Sequence, residues 1–257
     1  MGGISTLQPQ LSVGIERQGV HLGSMATVVI ALGGSLLRPE VEQRQDWLSD
    51  FVTIIRDRVS SGDRIGVVVG GGAPAREGIE IASQSIDDID HLDRIGIAAT
   101  RLNATIIREA LADYGVPVAG TIPSSVDEAV VDLNRKEVVV MGGTVPGHTT
   151  DTVAIMLAVK SGAEKCVIAT NVAKVYSEDP RNNPDAEPFD SLTLIELQEI
   201  VGPPEHRGAG GSQVVDPVGV GRAVSNSMPL DILDGRDAER IRQSLEGEGF
   251  EGTVVGG

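Results

Sequence analysis

From about residue 25 onward, short apolar runs alternate with longer amphipathic stretches. Thr27 to Leu32, Ile65 to Val69, Val138 to Val140, Lys165 to Ala169 and Leu230 to Leu233 are such runs, with the continuous apolar character of strands buried on both faces. Between them the spacing predicts helices. Pro39 to Ser60 carries Trp47, Leu48, Phe51, Ile54 and Ile55 at helical intervals, and a long helix runs from about Arg94 to Tyr114. Shorter helices cover Ser124 to Asn134, Leu192 to Val201, Val214 to Asn226 and Ala238 to Leu245. Val116 to Ala119 reads as one more short strand and Thr253 to Val255 as a last edge strand. Alternation of this kind implies an α/β architecture: a three-layer αβα sandwich with a mainly parallel central sheet. Ligands then sit beyond the carboxyl ends of the strands.

Three of the apolar runs end in glycine turns at those carboxyl ends. The most informative is the stretch VVVMGGTVPGHTTDTVAIML, Val138 to Leu157, which passes from strand through Gly142, Gly143, Thr144, Pro146 and Gly147 into a helix with Val153, Ile155, Met156 and Leu157. Thr149 and Thr150 are suited to cap that helix. Such a loop is expected to leave backbone N–H groups pointing outward, where they and the helix dipole favour an anion, phosphate above all. The dipole adds only about 0.3–1 kcal/mol, so tight binding needs partners elsewhere. The first run ends in Gly33-Gly34-Ser35 and the second in Gly70-Gly71-Gly72, with Arg76 one turn into the following helix. Consecutive glycines let another group approach the backbone closely, and a guanidinium there can clamp a phosphate.

The formal charge narrows the candidates. With 37 acidic and 21 basic residues among 257, the net charge is −16, and only Lys136, Lys160, Lys165 and Lys174 are lysines. A basic nucleic-acid footprint is absent, so no nucleic-acid partner is expected. An acidic, arginine-over-lysine surface resembles that of proteins from a salt-rich cytoplasm, where salt screens the self-repulsion. Asp87, Asp88 and Asp90 read as solvated acids favouring a helix start. No apolar run reaches 18 residues, so no membrane partner is expected. Cys166 is the one cysteine and lies in an apolar run, which excludes a disulfide framework and suits a reducing, cytoplasmic compartment. Residues 1–24 lack the strand–helix rhythm. They read as an N-terminal extension, disordered or left by cloning, without the apolar core of a cleavable signal, and the organised chain begins at Met25 as one domain over 25–257. There is no internal repeat.

Six blocks in order carry a resemblance to a known family: LGGSLL at 32–37, VVGGGAPAR at 68–76, DRIGIAATRLNA at 93–104, GGTVPGHTTDTVA at 142–154, ATNVAKVYSEDP at 169–180 and AGGSQVVDP at 209–217. The chain resembles the amino-acid-kinase superfamily over nearly all of 25–257, most closely the archaeal-type UMP kinases. The resemblance implies transfer of the γ-phosphate of ATP to UMP, with Mg²⁺ arriving on ATP and no protein metal site. It places UMP on the N-terminal part and ATP on the part after about residue 165, and it implies a homohexamer or another homo-oligomer. By the same resemblance Gly34, Ser35 and Asp151 serve the transfer itself. Gly71, Asp93, Thr144, Val145, Pro146, Gly147, His148, Thr149 and Thr150 hold UMP, with Asp93 suited to ribose hydroxyls. Ala31, Leu32, Gly33, Gly34, Ser35, Gly72, Arg76, Thr170, Asn171, Tyr176 and Asp179 hold ATP. Simpler readings stand beside these: Asp93 as a helix cap, Asn171 as a turn residue and Tyr176 as core. Asp151 is open between holding Mg²⁺, orienting a neighbouring donor and capping its helix.

Two departures from the family pattern matter. Many members place a lysine where Ala31 stands, and the usual TNVDGVY reads TNVAKVY, with Ala173 and Lys174. Lys174 is a candidate to supply the missing charge at the ATP phosphates. The competing functions are an enzyme of the same fold with another acceptor (isopentenyl phosphate, carbamate or an amino acid carboxylate), against which the TRLNA block argues, and a nucleotide-binding paralogue with little or no turnover.

Overall fold

The computed structural model describes residues 25–37, 44–180, 182, 183, 185–205 and 214–256. The N-terminal extension, the first residues of the expected 39–60 helix and most of the AGGSQVVDP block lie outside the described residues. The strands are β1 (Thr27–Leu32), β2 (Arg64–Val69), β3 (Val138–Met141), β4 (Lys165–Thr170), β5 (Val175–Tyr176), β6 (Pro188–Phe189), β7 (Ser191–Leu192), β8 (Leu230–Asp234) and β9 (Gly252–Val255). The helices are α1 (Arg44–Ser60), α2 (Gly72–Ser83), α3 (Ile89–Asp113), α4 (Val126–Leu133), α5 (Thr150–Ser161), α6 (Leu194–Val201), α7 (Pro217–Asn226) and α8 (Ala238–Glu246).

Seven strands form one sheet in the order β3-β2-β1-β4-β8-β9-β7, parallel throughout except where β9 runs antiparallel to β8. The expected sandwich is therefore present, and its two faces are legible in the strand alternation. Val28, Ile30 and Leu32 face one layer with Phe51, Ile107 and Ile241, from α1, α3 and α8. Val29 and Ala31 face the other, with Ala129, Ile155, Leu197 and Val220 from α4 to α7. All of these side chains are almost wholly buried, so each strand contributes hydrophobic stabilisation to two cores at once.

Local chemistry corrects several boundaries. The long helix α3 begins at Ile89, not near Arg94, because the Asp88 side chain accepts from the His91 amide and caps it. Thr149 caps α5, leaving Thr150 as its first helical residue. Val116 to Ala119 forms only a single bridge, Val118 to Val138. The strand near Thr253 is not an edge: β7 lies outside it. Val175–Tyr176 pairs antiparallel with Pro188–Phe189 in a separate two-stranded ladder.

The chain runs from β1 outward to β2 and β3, then returns through α5 to β4 on the other side of β1. The strand order reverses at β1, and in a parallel sheet that reversal opens a crevice at the carboxyl ends. At the opposite end several polar side chains pair with one another. The Lys165 ammonium donates to Asp231 Oδ2 at 2.7 Å, and the Ser244 hydroxyl donates to the same oxygen at 2.6 Å. The Asp63 carboxylate pairs with Arg58 and accepts from the Ala26 amide.

Candidate active site

The glycine turns after β1 and β2 meet. Gly70 donates its amide to Leu32 O at 2.8 Å. A Cβ on Gly34 would overlap the Gly72 nitrogen and the Gly70 carbonyl, and one on Gly72 would lie 2.5 Å from Gly34 O. Gly72 also has φ +59°, a left-handed conformation that glycine adopts without strain. The amides of Gly34, Ser35, Gly71 and Gly72 have no partner among the described residues. Helix α2 starts here without a side-chain cap, while described caps serve α3 through α8. Four open donors and a helix N-terminus thus lie together at the reversal of the sheet, an arrangement suited to an anion. Arg76 lies in the first turns of α2, exposed and without a described hydrogen bond or ion pair.

Neighbouring tips close the ring. A Cβ on Gly70 would come within 3.4 Å of Thr150 Oγ1, which brings the start of α5 to the same place. Gly33 donates to Ala169 O at 2.9 Å, and Gly235 donates to Thr170 O at 2.8 Å, so the ends of β4 and β8 border it too.

The loop after β3 behaves differently from expectation. Its amides are not all free: Gly143 N–H donates to Thr100 Oγ1 at 2.7 Å, and Gly147 N–H donates to Asp93 Oδ2 at 2.8 Å. Asp93 is therefore no helix cap. It sits in the second turn of α3 and holds the 144–148 loop, leaving its other oxygen without a described partner. Val145 is half exposed at the loop's tip, with Thr144, Pro146 and His148 partly buried around it.

Ala31 and Leu32 do not face the cleft. Their side chains are buried in the two cores, so only their backbone borders it. Tyr176 is partly buried on β5, Asn171 is exposed just past β4, and Asp179 is tied into its own turn by Asn182. Lys174 has another use than the one anticipated. Its ammonium pairs with Asp190, and that hydrogen bond holds its pKa above the ordinary lysine value.

Asp151, in the first turn of α5, is the perturbed group. Burial, and then the Asp216 carboxylate beside it, push its pKa up to about 6, against a bond from the Asp216 backbone N–H. Asp216 is itself occupied, accepting from Thr149 Oγ1 at 2.5 Å and from the Val218 amide at 2.8 Å. Thr100, Asn103 and Asp216 belong to blocks that carry the family resemblance, yet no role at the site was expected of them.

Residues 26–234 match the amino acid kinase family, and the chain belongs to that family. It is 37% identical over 231 residues to a uridylate kinase of Methanospirillum hungatei, covering 90% of this chain and 95% of that protein. It is 36% identical to one of Haloarcula marismortui, covering 89% and 97%. The crystal structure of a uridylate kinase from Archaeoglobus fulgidus superimposes with a TM-score of 0.77 at 36% identity, over 90% of this chain and all of that one.

Two substitutions test the geometry. Gly34→Ala forces the turns apart, and turnover is expected to fall by at least about 100-fold, since displacements near 1 Å have that effect; an initial-rate assay on a folded variant reads this. The fold keeps Asp151 protonated up to about pH 6 and leaves it ionised above, so its contribution to stability is full below about pH 4 and lost as pH rises through 6. Asp151→Asn should therefore match the parent in urea unfolding at pH 4 and exceed it by roughly 1–3 kcal/mol at pH 8.

Proposed function

We infer that this chain is a uridylate kinase, transferring the γ-phosphoryl group of ATP to UMP to give UDP and ADP, a step of pyrimidine nucleotide biosynthesis. The observation that carries the reading is the meeting of four open amides, at Gly34, Ser35, Gly71 and Gly72, with the start of α5 at the switch point of the sheet. Phosphoryl transfer asks for positioning and charge neutralisation more than for covalent help, and fixed amides supply both. A phosphate oxygen of UMP forms the new bond to the γ-phosphorus as the bond to the ADP oxygen breaks.

UMP lies on the N-terminal side of the domain, against Gly71, Asp93 and the 144–150 loop, with the free oxygen of Asp93 accepting from ribose hydroxyls. ATP lies toward the part after residue 165, its phosphates on Gly33 to Ser35, Gly72 and Arg76, and its nucleoside near Thr170, Asn171, Tyr176 and Asp179. Among the described residues no group of three or more His, Cys, Asp or Glu side chains could hold a metal ion. The residues present fit Mg²⁺ that comes hydrated with ATP: Asp151 and Asp216 are neighbouring oxygen donors able to receive its water ligands. The ion supplies charge neutralisation on the phosphates when bound.

The protein works in a salt-rich cytoplasm and assembles as a homo-oligomer. The net charge of −16 supports the first. The second is supported by helix α2, which buries no residue fully, and by the exposure of Ile81, Ile89, Leu102 and Ile106 on α2 and α3.

A panel of phosphate, carbamate and carboxylate acceptors, assayed by coupled ADP release in molar KCl, should show UMP preferred by at least about 100-fold in kcat/KM. Preference for a non-nucleotide would overturn the assignment, and ATP binding without UDP formation would mark a nucleotide-binding protein that does not turn over. Light scattering in the same buffer reads the assembly, and a monomer there refutes it.

A further inference from the structure

Helix α3 touches each acceptor-side loop of the cleft with one face. Asp93, Thr100 and Asn103 are seven and three residues apart, spacings that keep them on one side of a helix. Asp93 holds Gly147, Thr100 holds Gly143, and Asn103 Nδ2 donates to two successive carbonyls, Gly70 O at 2.8 Å and Gly71 O at 3.0 Å. Asn103 is completely buried, and Thr100 nearly so. The approach is close enough to require glycine: a Cβ on Gly142 would lie 2.5 Å from Thr100 Oγ1 and 2.9 Å from the Arg101 amide.

The bond pattern has a directional consequence. In a trans peptide the C=O of one residue and the N–H of the next point in opposite directions. With the Gly70 and Gly71 carbonyls drawn down onto Asn103, the N–H groups of Gly71 and Gly72 are turned away from α3. They are the open donors of the anion site, and the Gly72 nitrogen lies against Gly34. The two donor hydrogens of the Asn103 amide thus set the aim of two donors of the cleft. Thr100 donates its own hydroxyl hydrogen to Ile97 O at 2.6 Å, which leaves its lone pair to receive Gly143. Asn103 Oδ1 is buried with no partner, so the bonds of this side chain lie entirely in its two donors, and no other described group competes for them.

We propose that Asn103 and Thr100 are positioning residues for phosphoryl transfer. Asn103 aims the Gly71 and Gly72 amides, and Thr100 fixes the loop after β3 to the same rigid helix, so α3 sets the distance between acceptor and transferring phosphoryl group. This rests on the phosphoryl-transfer reading but not on the identity of the acceptor.

The test measures kcat and KM separately, with the acceptor that the parent enzyme prefers, at a temperature where every variant is folded by circular dichroism. Asn103→Leu removes both donors at similar volume. Its kcat should fall by about 100-fold while KM for either substrate moves by less than about fivefold, because aimed amides act mainly on the charge that develops during transfer. Thr100→Val should lower kcat by about tenfold, and Thr100→Ser, which keeps the hydroxyl, should restore it to within about threefold of the parent. Ser244→Ala is the control, a buried hydrogen-bonding side chain on α8 whose loss reduces stability without touching the cleft. If Asn103→Leu does not fold, Thr100→Val read against Thr100→Ser decides alone. The proposal is overturned if Asn103→Leu and Thr100→Val keep kcat within about threefold of the Ser244→Ala control, or if Thr100→Ser is as slow as Thr100→Val. A parent that turns over another acceptor instead of UMP defeats the uridylate assignment and leaves this comparison intact.

Discussion

The backbone contact between Gly34 and the Gly70–Gly72 turn is the constraint on which the rest of the site depends. The pairing of β1 with β2 brings Leu32 opposite Val69, so both chains leave the sheet side by side. One turn can then lie against the other only where neither carries a Cβ. That contact concentrates four amides in a volume where a single turn would offer two. Amide dipoles fixed by two strands do not reorganise when charge develops near them, and this makes them worth more than the same dipoles in water.

Positive charge is scarce around this donor set. Ala31 occupies a position where a lysine would have its stem in the core between β1 and α5. Lys174 is neutralised by Asp190. Asp151 and Asp216 bring negative charge instead, and burial, with the Asp216 carboxylate adding to it, raises the pKa of Asp151. Arg76, near the start of α2, is a cation without a described partner. On the proposed function, backbone donors, Arg76 and a cation that arrives with substrate meet the phosphates of the two nucleotides. An overall charge of −16 adds to the same deficit, and salt relieves it by screening exposed charges beyond about one Debye length, roughly 8 Å at physiological ionic strength and shorter in brine.

The central strands were legible because burial on both faces demands uninterrupted valine and isoleucine, which no other local structure here requires. Gly34, Gly70 and Gly72 were legible as turns at the strand ends, because consecutive glycines permit the close backbone approach seen there. The two-residue strands β5, β6 and β7 were not, since two residues carry no periodicity. Asp88 was read as one surface acid among several, although its side chain fixes where α3 begins. The state of the amides in the 142–147 loop was beyond reach: Gly143 is bonded to Thr100, 43 residues away, and Gly147 to Asp93, 54 residues away. Asn103 stood in plain view in the TRLNA block, but its partners are 33 and 32 residues distant, and only the fold assigns them.

The distribution of satisfied and unsatisfied polar groups argues for where the chain is incomplete. At the amino ends of the strands, Lys165 and Ser244 both donate to Asp231, and Arg58 pairs with Asp63. At the carboxyl ends the amides of Gly34, Ser35, Gly71 and Gly72 are open, α2 lacks a side-chain cap, and Asn103 Oδ1 and Thr152 Oγ1 are buried without partners. Arg58 Nε and Gln198 Oε1 are orphans away from the cleft, so the asymmetry is a concentration and not a strict rule. An unpaired buried polar group costs roughly 1–3 kcal/mol, a cost that at the carboxyl ends falls on the two side-chain oxygens, since Ser35, Gly71 and Gly72 are only partly buried. On the proposed function, one ligand rich in acceptors pairs all four open amides. On that reading these amides are the donors that phosphate meets, and the glycines that present them cannot be exchanged, because a Cβ on Gly34 or Gly72 would collide with the facing turn.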